Sequence, residues 1–262
     1  MCPDKHLTRD FISKVPAVTL MFWVIKICAT TVGETGGDAF SMSFGLGYAV
    51  SSLLFLAIFL VVLTAQVGSS RYQPLLYWAV VVATTTVGTT MSDYLDRTLG
   101  LGYIRSSILL FGGVFAVLFA WRTVMGQIKF ENIENRGDEV FYWVTILVSN
   151  TLGTALGDFV ATDTGLGFER GALIFAGLIA AVALGHILTN VPKSVLFWAA
   201  YVLTRPLGAT LGDTLTKPHA EGGFDLSRVT SSLVIGALMT VAIFLSTRGT
   251  DDILSENLPS NA

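Results

Sequence analysis

WVIKICATTVGETGGD (residues 23–38), WAVVVATTTVGTTMSD (78–93), WVTILVSNTLGTALGD (143–158) and WAAYVLTRPLGATLGD (198–213) are four versions of one phrase. Each opens on tryptophan (Trp23, Trp78, Trp143, Trp198) and reaches a glycine ten residues later (Gly33, Gly88, Gly153, Gly208). Four residues further on comes a small residue (Gly37, Ser92, Gly157, Gly212), and then always aspartate (Asp38, Asp93, Asp158, Asp213). An aromatic residue precedes every tryptophan: Phe22, Tyr77, Tyr142 and Phe197. Seven residues after the first three aspartates, Gly-Leu-Gly begins, at 45–47, 100–102 and 165–167. The fourth copy departs, with Gly222-Gly223-Phe224 after a two-residue insertion. Self-similarity at a fixed period identifies the chain as a repeat protein.

The tryptophans are spaced by 55, 65 and 55 residues, so two halves offset by 120 residues each hold two units. The longer middle interval contains the charged stretch Gln127–Glu139. Of 262 residues, 52% are hydrophobic and only 13% charged, against about 25% charged in soluble domains. Apolar segments of about 18–20 residues can span a bilayer core. Eight are read, at 17–36, 47–66, 74–93, 103–121, 140–158, 167–189, 194–213 and 228–246. Helices of a soluble bundle would show a polar face every turn, and most of these do not. The fold expected is all-α and polytopic: eight transmembrane helices from four parallel two-helix repeats, with pseudosymmetry about the membrane normal. The domain limits expected are an N-terminal tail 1–16, repeats 17–66 and 74–124, a charged linker 125–139, repeats 140–189 and 194–247, and a C-terminal tail 248–262.

The aromatic-Trp pair, the Gly-x-x-x-Gly-Asp run and the Gly-Leu-Gly turn resemble a bacterial membrane family built of repeats of unknown function, domain of unknown function 347. The resemblance covers nearly the whole chain except the tails. It implies a multi-spanning membrane protein and brings no activity with it.

The polar first sixteen residues lack the apolar core of a cleavable signal peptide, so the first helix is expected to act as an uncleaved signal. With an even number of spans, Lys5, Arg9, Lys14, Arg71, Arg122, Lys129, Arg136, Lys193 and Arg248 fall on the side of the termini. Arg97, Arg105, Arg170, Lys217 and Arg228 fall on the other. Nine against five favours cytoplasmic termini in a bacterial inner membrane. Two cysteines make no disulfide framework or thiolate site. A net charge of −3 does not suggest nucleic acid. The bilayer and a small cation or solute are the partners expected; the sequence is silent on oligomeric state.

Gly-x-x-x-small puts two tiny residues one turn apart on one face, so Gly33, Gly37, Gly88, Gly153, Gly157, Gly208 and Gly212 are expected to pack helix against helix. The aspartates are different, because an ionisable group at membrane depth is costly and commonly faces a bundle interior or a pathway. The plainer alternative is that each aspartate ends its helix and caps the next turn. Residues four apart share a face, giving the stripes Thr30-Glu34-Asp38, Thr85-Thr89-Asp93, Asn150-Thr154-Asp158 and Arg205-Ala209-Asp213. Thr31, Thr86 and Thr151 flank them. These hydroxyls either line a polar track or serve as interhelical hydrogen-bonding glue. The even-numbered helices lack such stripes and read as a lipid-facing shell.

The units also differ. Only the first adds Glu34 to its aspartate; two carboxylates so close can share a cation or a proton. Arg205 belongs to the fourth unit alone and needs a carboxylate partner in lipid, for which Glu34 is the candidate. Arg97 and Lys217 follow their aspartates by four residues, as local salt bridges. Carboxylates and hydroxyls without Cys or His favour hard cations such as Mg²⁺, Ca²⁺ or Mn²⁺, with Glu34 and Asp38 as the expected metal ligands. Glu34-Thr-Gly-Gly-Asp38 is also similar to the Glu-x-Gly-Asp motifs of calcium/manganese cation exchangers, with one residue extra and no following base.

The function expected is therefore a transporter of a small cation, a hard divalent metal first, with proton exchange at Glu34 and Asp38 and no resident cofactor. Its ion-binding residues would be Glu34, Asp38, Asp93, Asp158, Asp213, Thr30, Thr85 and Asn150, and Arg205 would be the counter-charge or gate. A pseudo-tetrameric cation channel, a small-organic-solute carrier and a non-transporting structural protein are the alternatives. The Gly-x-Gly-Asp motif of intramembrane aspartyl proteases is absent, and no enzyme is expected.

Overall fold

The computed structural model describes residues 16, 18–69, 72–128 and 135–256, apart from the side chains of 194 and 248–256. The N-terminal tail (Pro16 and part of 17–19 aside), the basic residues Lys5, Arg9, Lys14, Arg71 and Lys129, linker residues 129–134 and the last residues of the C-terminal tail lie outside it, as does the Arg248 side chain. Every long element among the described residues is helical: α1 (Leu20–Asp38), α2 (Gly47–Gly68), α3 (Pro74–Asp93), α4 (Gly102–Met125), α5 (Arg136–Asp158), α6 (Phe168–Leu188), α7 (Lys193–Thr216) and α8 (Arg228–Glu256).

Helix starts follow local chemistry. The Thr19 hydroxyl accepts from the Phe22 amide at 3.3 Å, Pro74 stands in the first turn of α3, and the Asn135 side chain accepts from the Gly137 amide at 2.8 Å. Each satisfies or removes an orphan donor. The charged linker is shorter than expected, because Met125 completes α4 and Arg136–Glu139 form the first turn of α5. There Asp138 accepts from the Trp121 indole at 2.8 Å, which pins α4 to α5. Helix α8 also runs past the expected limit of 247 into the tail.

The odd-numbered helices form a closed inner ring in the order α1, α3, α5, α7, with α7 packed back on α1. Each even-numbered helix covers the odd helix of the following unit: α2 lies on α3, α4 on α5, α6 on α7 and α8 on α1. The ring therefore closes only when the last helix returns to the first. Among the described residues six helices are long and apolar enough to cross a membrane: α2, α3 with the turn that follows it, α4, α5 with its turn, α6 and α8. Helices α1 and α7 fall short because their inward stripes carry charge: Lys26, Glu34 and Asp38 in one, Arg205 and Asp213 in the other. The outer helices present large apolar side chains outward, among them Phe119 at 72% exposure and Ile187 at 78%. A soluble protein does not sustain so continuous an apolar exterior.

After Asp38, Asp93 and Asp158 the chain continues without a break into one π-helical turn: Ala39–Ser43, Tyr94–Thr98 and Phe159–Asp163. A Gly-x-Gly turn follows, both of whose glycines have positive φ, as in Gly45 (+70°) and Gly47 (+73°). Side chains other than glycine rarely enter that region. The fourth unit departs here too. Its chain leaves α7 at Thr216, makes a short 3₁₀ turn at His219–Glu221 and folds back, Phe224 N–H donating to the Thr214 carbonyl at 2.7 Å.

Candidate functional site

The repeated phrase places its inward residues at every fourth position, so the ring axis is filled by five layers. The first is aromatic: Phe22, Tyr77, Tyr142 and Phe197. Next come Lys26, Val81, Ile146 and Tyr201, and then Thr30, Thr85, Asn150 and Arg205. Glu34, Thr89, Thr154 and Ala209 follow, and the four aspartates complete the series. All residues of the last four layers are buried.

At the aromatic end the units link head to tail. Phe22 packs on Trp78 (ring centroids 5.6 Å apart), Tyr77 on Trp143 (5.6 Å), Tyr142 on Trp198 (6.2 Å) and Phe197 on Trp23 (5.6 Å). The third layer interlocks in the same rotation. A Cβ added at Gly33 would overlap Thr85, one at Gly88 would press on Asn150, one at Gly153 on Arg205 and one at Gly208 on Thr30. The next notch repeats this, with Gly37 against Thr89, Gly157 against Ala209 and Gly212 against Glu34. The glycines are thus packing positions, each a socket for the stripe of the next unit.

Thr30, Thr85 and Asn150, expected to bind ions, are engaged by neighbouring helices instead. Thr30 donates to the Thr204 carbonyl (3.2 Å), Thr85 to the Ala29 carbonyl (3.2 Å) and Asn150 to the Thr84 hydroxyl (3.0 Å). The flanking Thr31, Thr86 and Thr151 donate to carbonyls four residues back in their own helices. Hydroxyl-rich helices are tolerable in apolar surroundings because their donors are satisfied in these ways.

Arg205 fills the axis. Its guanidinium pairs with Glu34 at 3.1 Å and donates to the Thr89 and Thr154 hydroxyls and to the Thr85 carbonyl, touching α1, α3 and α5 from α7. The pair named from sequence is therefore made, and it is fully buried. Beneath it Lys26, also fully buried, holds its ammonium 4.3 Å from the Tyr201 ring centroid, a cation–π contact.

The aspartates are not caps: Asp38, Asp93 and Asp158 make no side-chain capping bond. They sit inside continuous helix and face bases across the ring. Lys217 bridges Asp38 (2.9 Å) and Asp213 (3.1 Å), and Arg228 adds a second contact to Asp38 at 3.6 Å. Arg97 bridges Asp93 (2.9 Å) and Asp158 (3.8 Å). The local pairs expected of Arg97 and Lys217 are made, and each base also reaches the aspartate of a neighbouring unit; Lys217 is buried rather than at the surface. Burial disfavours its ammonium form, but Asp213 and Asp38 more than offset this and hold Lys217 protonated well above the usual lysine range.

Glu34 and Asp38, expected to share a metal ion, face different partners: Glu34 turns to Arg205 and Asp38 to Lys217 and Arg228. Among the described residues no group of three His, Cys, Asp or Glu side chains is placed to hold a metal ion. His219 has its ring nitrogen against the Gly223 carbonyl at 2.6 Å, within the fourth unit's own loop.

The signature of the Repeat of Unknown Function (DUF347) family matches the chain four times, at 21–72, 76–126, 141–191 and 196–250. The chain belongs to this family. No curated protein and no solved structure matches it. Each match takes in one odd helix and the even helix after it, so in DUF347 terms a repeat is two helices that cover different neighbours.

Proposed function

We propose that this DUF347 protein is a polytopic membrane carrier for a small cation, with all eight helices spanning and both termini in the cytoplasm of a bacterial cell. The observation that carries the reading is the charge gathered on the ring axis and at its aspartate end. Five carboxylates (Glu34, Asp38, Asp93, Asp158, Asp213) and four bases (Arg97, Arg205, Lys217, Arg228) pair here, through four contacts across unit boundaries and two within a unit. Such groups are expensive at membrane depth and mark pathways when they converge on a bundle interior. Lys26, buried further along the same axis, brings the bases to five, so the axis as a whole is balanced in charge. The even helices form the apolar exterior and, apart from Arg228 on α8, leave the ion-pairing to the inner ring, a division of labour that favours transport over a simple anchor.

A four-unit ring has the outline of a pore, but Arg205 occupies its axis and an aromatic layer closes the end beyond Lys26. Saturable exchange, with Arg205–Glu34 opening and closing, fits that geometry better than continuous conduction. The test is flux in proteoliposomes holding the full chain, read with a pH-sensitive dye and a panel of H⁺, Na⁺, K⁺, Mg²⁺, Ca²⁺ and Mn²⁺ gradients. Saturable cation flux that falls at least tenfold in Asp213→Asn and Asp93→Asn is the expected result. Folded protein that moves none of these ions would end the proposal.

A further inference from the structure

The two halves of the aspartate layer are not electrically alike. Buried small residues at the start of the even helices, Ser51, Ser106, Gly171 and Ser231, bring the four units into register. Three positions earlier stand Tyr48, Tyr103, Phe168 and Arg228. The contacts obey that register. Tyr48 lies over Arg97 and Phe168 over Lys217, each 5.9 Å from cation to ring centroid. Arg228 reaches Asp38, and Tyr103 is within electrostatic reach of Asp158. Helix α8 thus brings a base to Asp38, where α4 brings a phenol to Asp158.

The arithmetic follows. In one half Asp38 and Asp213 face Lys217 and Arg228, two against two. In the other, Asp93 and Asp158 share Arg97 alone, two against one. Arg97 favours Asp93 at 2.9 Å and leaves Asp158 at 3.8 Å. Asp158 is 2% exposed, and its Oδ1 has no hydrogen-bond partner. A buried carboxylate with neither full ion pair nor hydrogen bonds is unfavourable, and taking up a proton relieves it. The other groups facing Asp158 are Asp93 from α3, Asp213 from α7, Glu34 from α1 and the Tyr103 phenol from α4. Apart from Arg97, none of these adds positive charge.

We infer that Asp158 is the proton-carrying residue of this protein: it binds H⁺ from the aqueous side of the Gly-x-Gly turns, while its symmetry mate Asp38 keeps its ion pairs with Lys217 and Arg228. The step is a proton uptake alone. The Asp158 carboxylate and one H⁺ become a carboxylic acid, Arg97 remains paired with Asp93, and that half becomes neutral like the other. The inference rests on the carrier reading for its purpose but not for its chemistry.

pH-difference infrared spectroscopy of the full chain in lipid tests it, because a protonated carboxyl has its own carbonyl stretch, which shifts in D₂O. The wild type is expected to gain one such band on acidification. Asp158→Asn should lose it and Asp38→Asn should keep it. Tyr103→Arg supplies the missing base while leaving every carboxylate in place; it should abolish the band as well, and covers the case in which Asp158→Asn does not fold. In flux assays Asp158→Asn and Tyr103→Arg should lose proton coupling at least tenfold. A band that survives both Asp158→Asn and Tyr103→Arg, or disappears in Asp38→Asn instead, overturns the assignment. The expected infrared pattern without any ion flux would remove the carrier reading and leave the Asp158 assignment standing.

Discussion

The two ends of the ring axis obey opposite rules. At the tryptophan end, the contact made by Phe22 to the next unit is repeated by Tyr77, Tyr142 and Phe197, so four units behave as four copies. At the aspartate end, four identical residues meet four different surroundings. Packing needs only shape, and shape survives drift between aromatic residues. Charge must balance across the whole layer, so one basic residue gained in one unit changes what its neighbours require. The symmetric end holds the ring together, and the asymmetric end is where the units have been given separate tasks.

Substitutions at the sockets should do the most damage, because they act on ring closure itself. Gly208→Leu has no room against Thr30. It is expected to cost more than about 3 kcal/mol and to yield aggregated protein on size exclusion in mild detergent. Arg205→Gln should come next: it leaves Glu34 buried without its base, worth about 3–5 kcal/mol in reversible denaturant unfolding. Glu34→Gln combined with Arg205→Gln should restore much of that loss, and strict additivity of the two single effects would show that they do not act as a pair. Lys217→Met should be milder, about 2–3 kcal/mol, because Arg228 still serves Asp38 when Lys217 is gone. Tyr142→Phe keeps its ring against Trp198 and should cost no more than about 1 kcal/mol. Tyr48→Phe, which removes a 3.4 Å hydrogen bond to Arg97 at an exposed rim, should be smallest, under about 1 kcal/mol in a thermal melt. If the aromatic substitutions outweighed the charged ones, the contrast between the two ends would be mistaken.

Much of this was legible in the sequence. The spacing of the four phrases locates the units, and the expected spans lie within a few residues of most observed helices. An arginine in one apolar segment and a glutamate in another are enough to suggest a pair, because neither is tolerable alone. Three things were not legible. Periodicity within a unit shows which face is polar but not which neighbour that face meets, so the passage of α2 onto α3, and the reach of Arg97 and Lys217 across unit boundaries, appear only in the closed ring. Aspartate before a turn reads as a cap, whereas the chain runs straight on through Asp38 into a π-helical turn that has no residue signature. Threonines three residues before a glycine read equally well as pathway or glue, and Thr30 and Thr85 bond to neighbouring helices as glue does.

Ring closure has a consequence for how the chain is made. Helices α1 and α7, the two too polar to qualify as spans by themselves, are the two that neutralise each other: Glu34 meets Arg205 and Asp38 meets Lys217, the first pair 171 residues apart in sequence. At ribosomal speeds of roughly 5–20 residues per second, α1 emerges on the order of ten seconds or more before its partner exists. With all eight helices spanning as proposed, α1 must be sheltered by the insertion machinery, or wait at the membrane surface, until α7 and α8 arrive to enclose it. A chain truncated after α6 would strand Glu34 and Asp38 in lipid and is a natural substrate for membrane quality control.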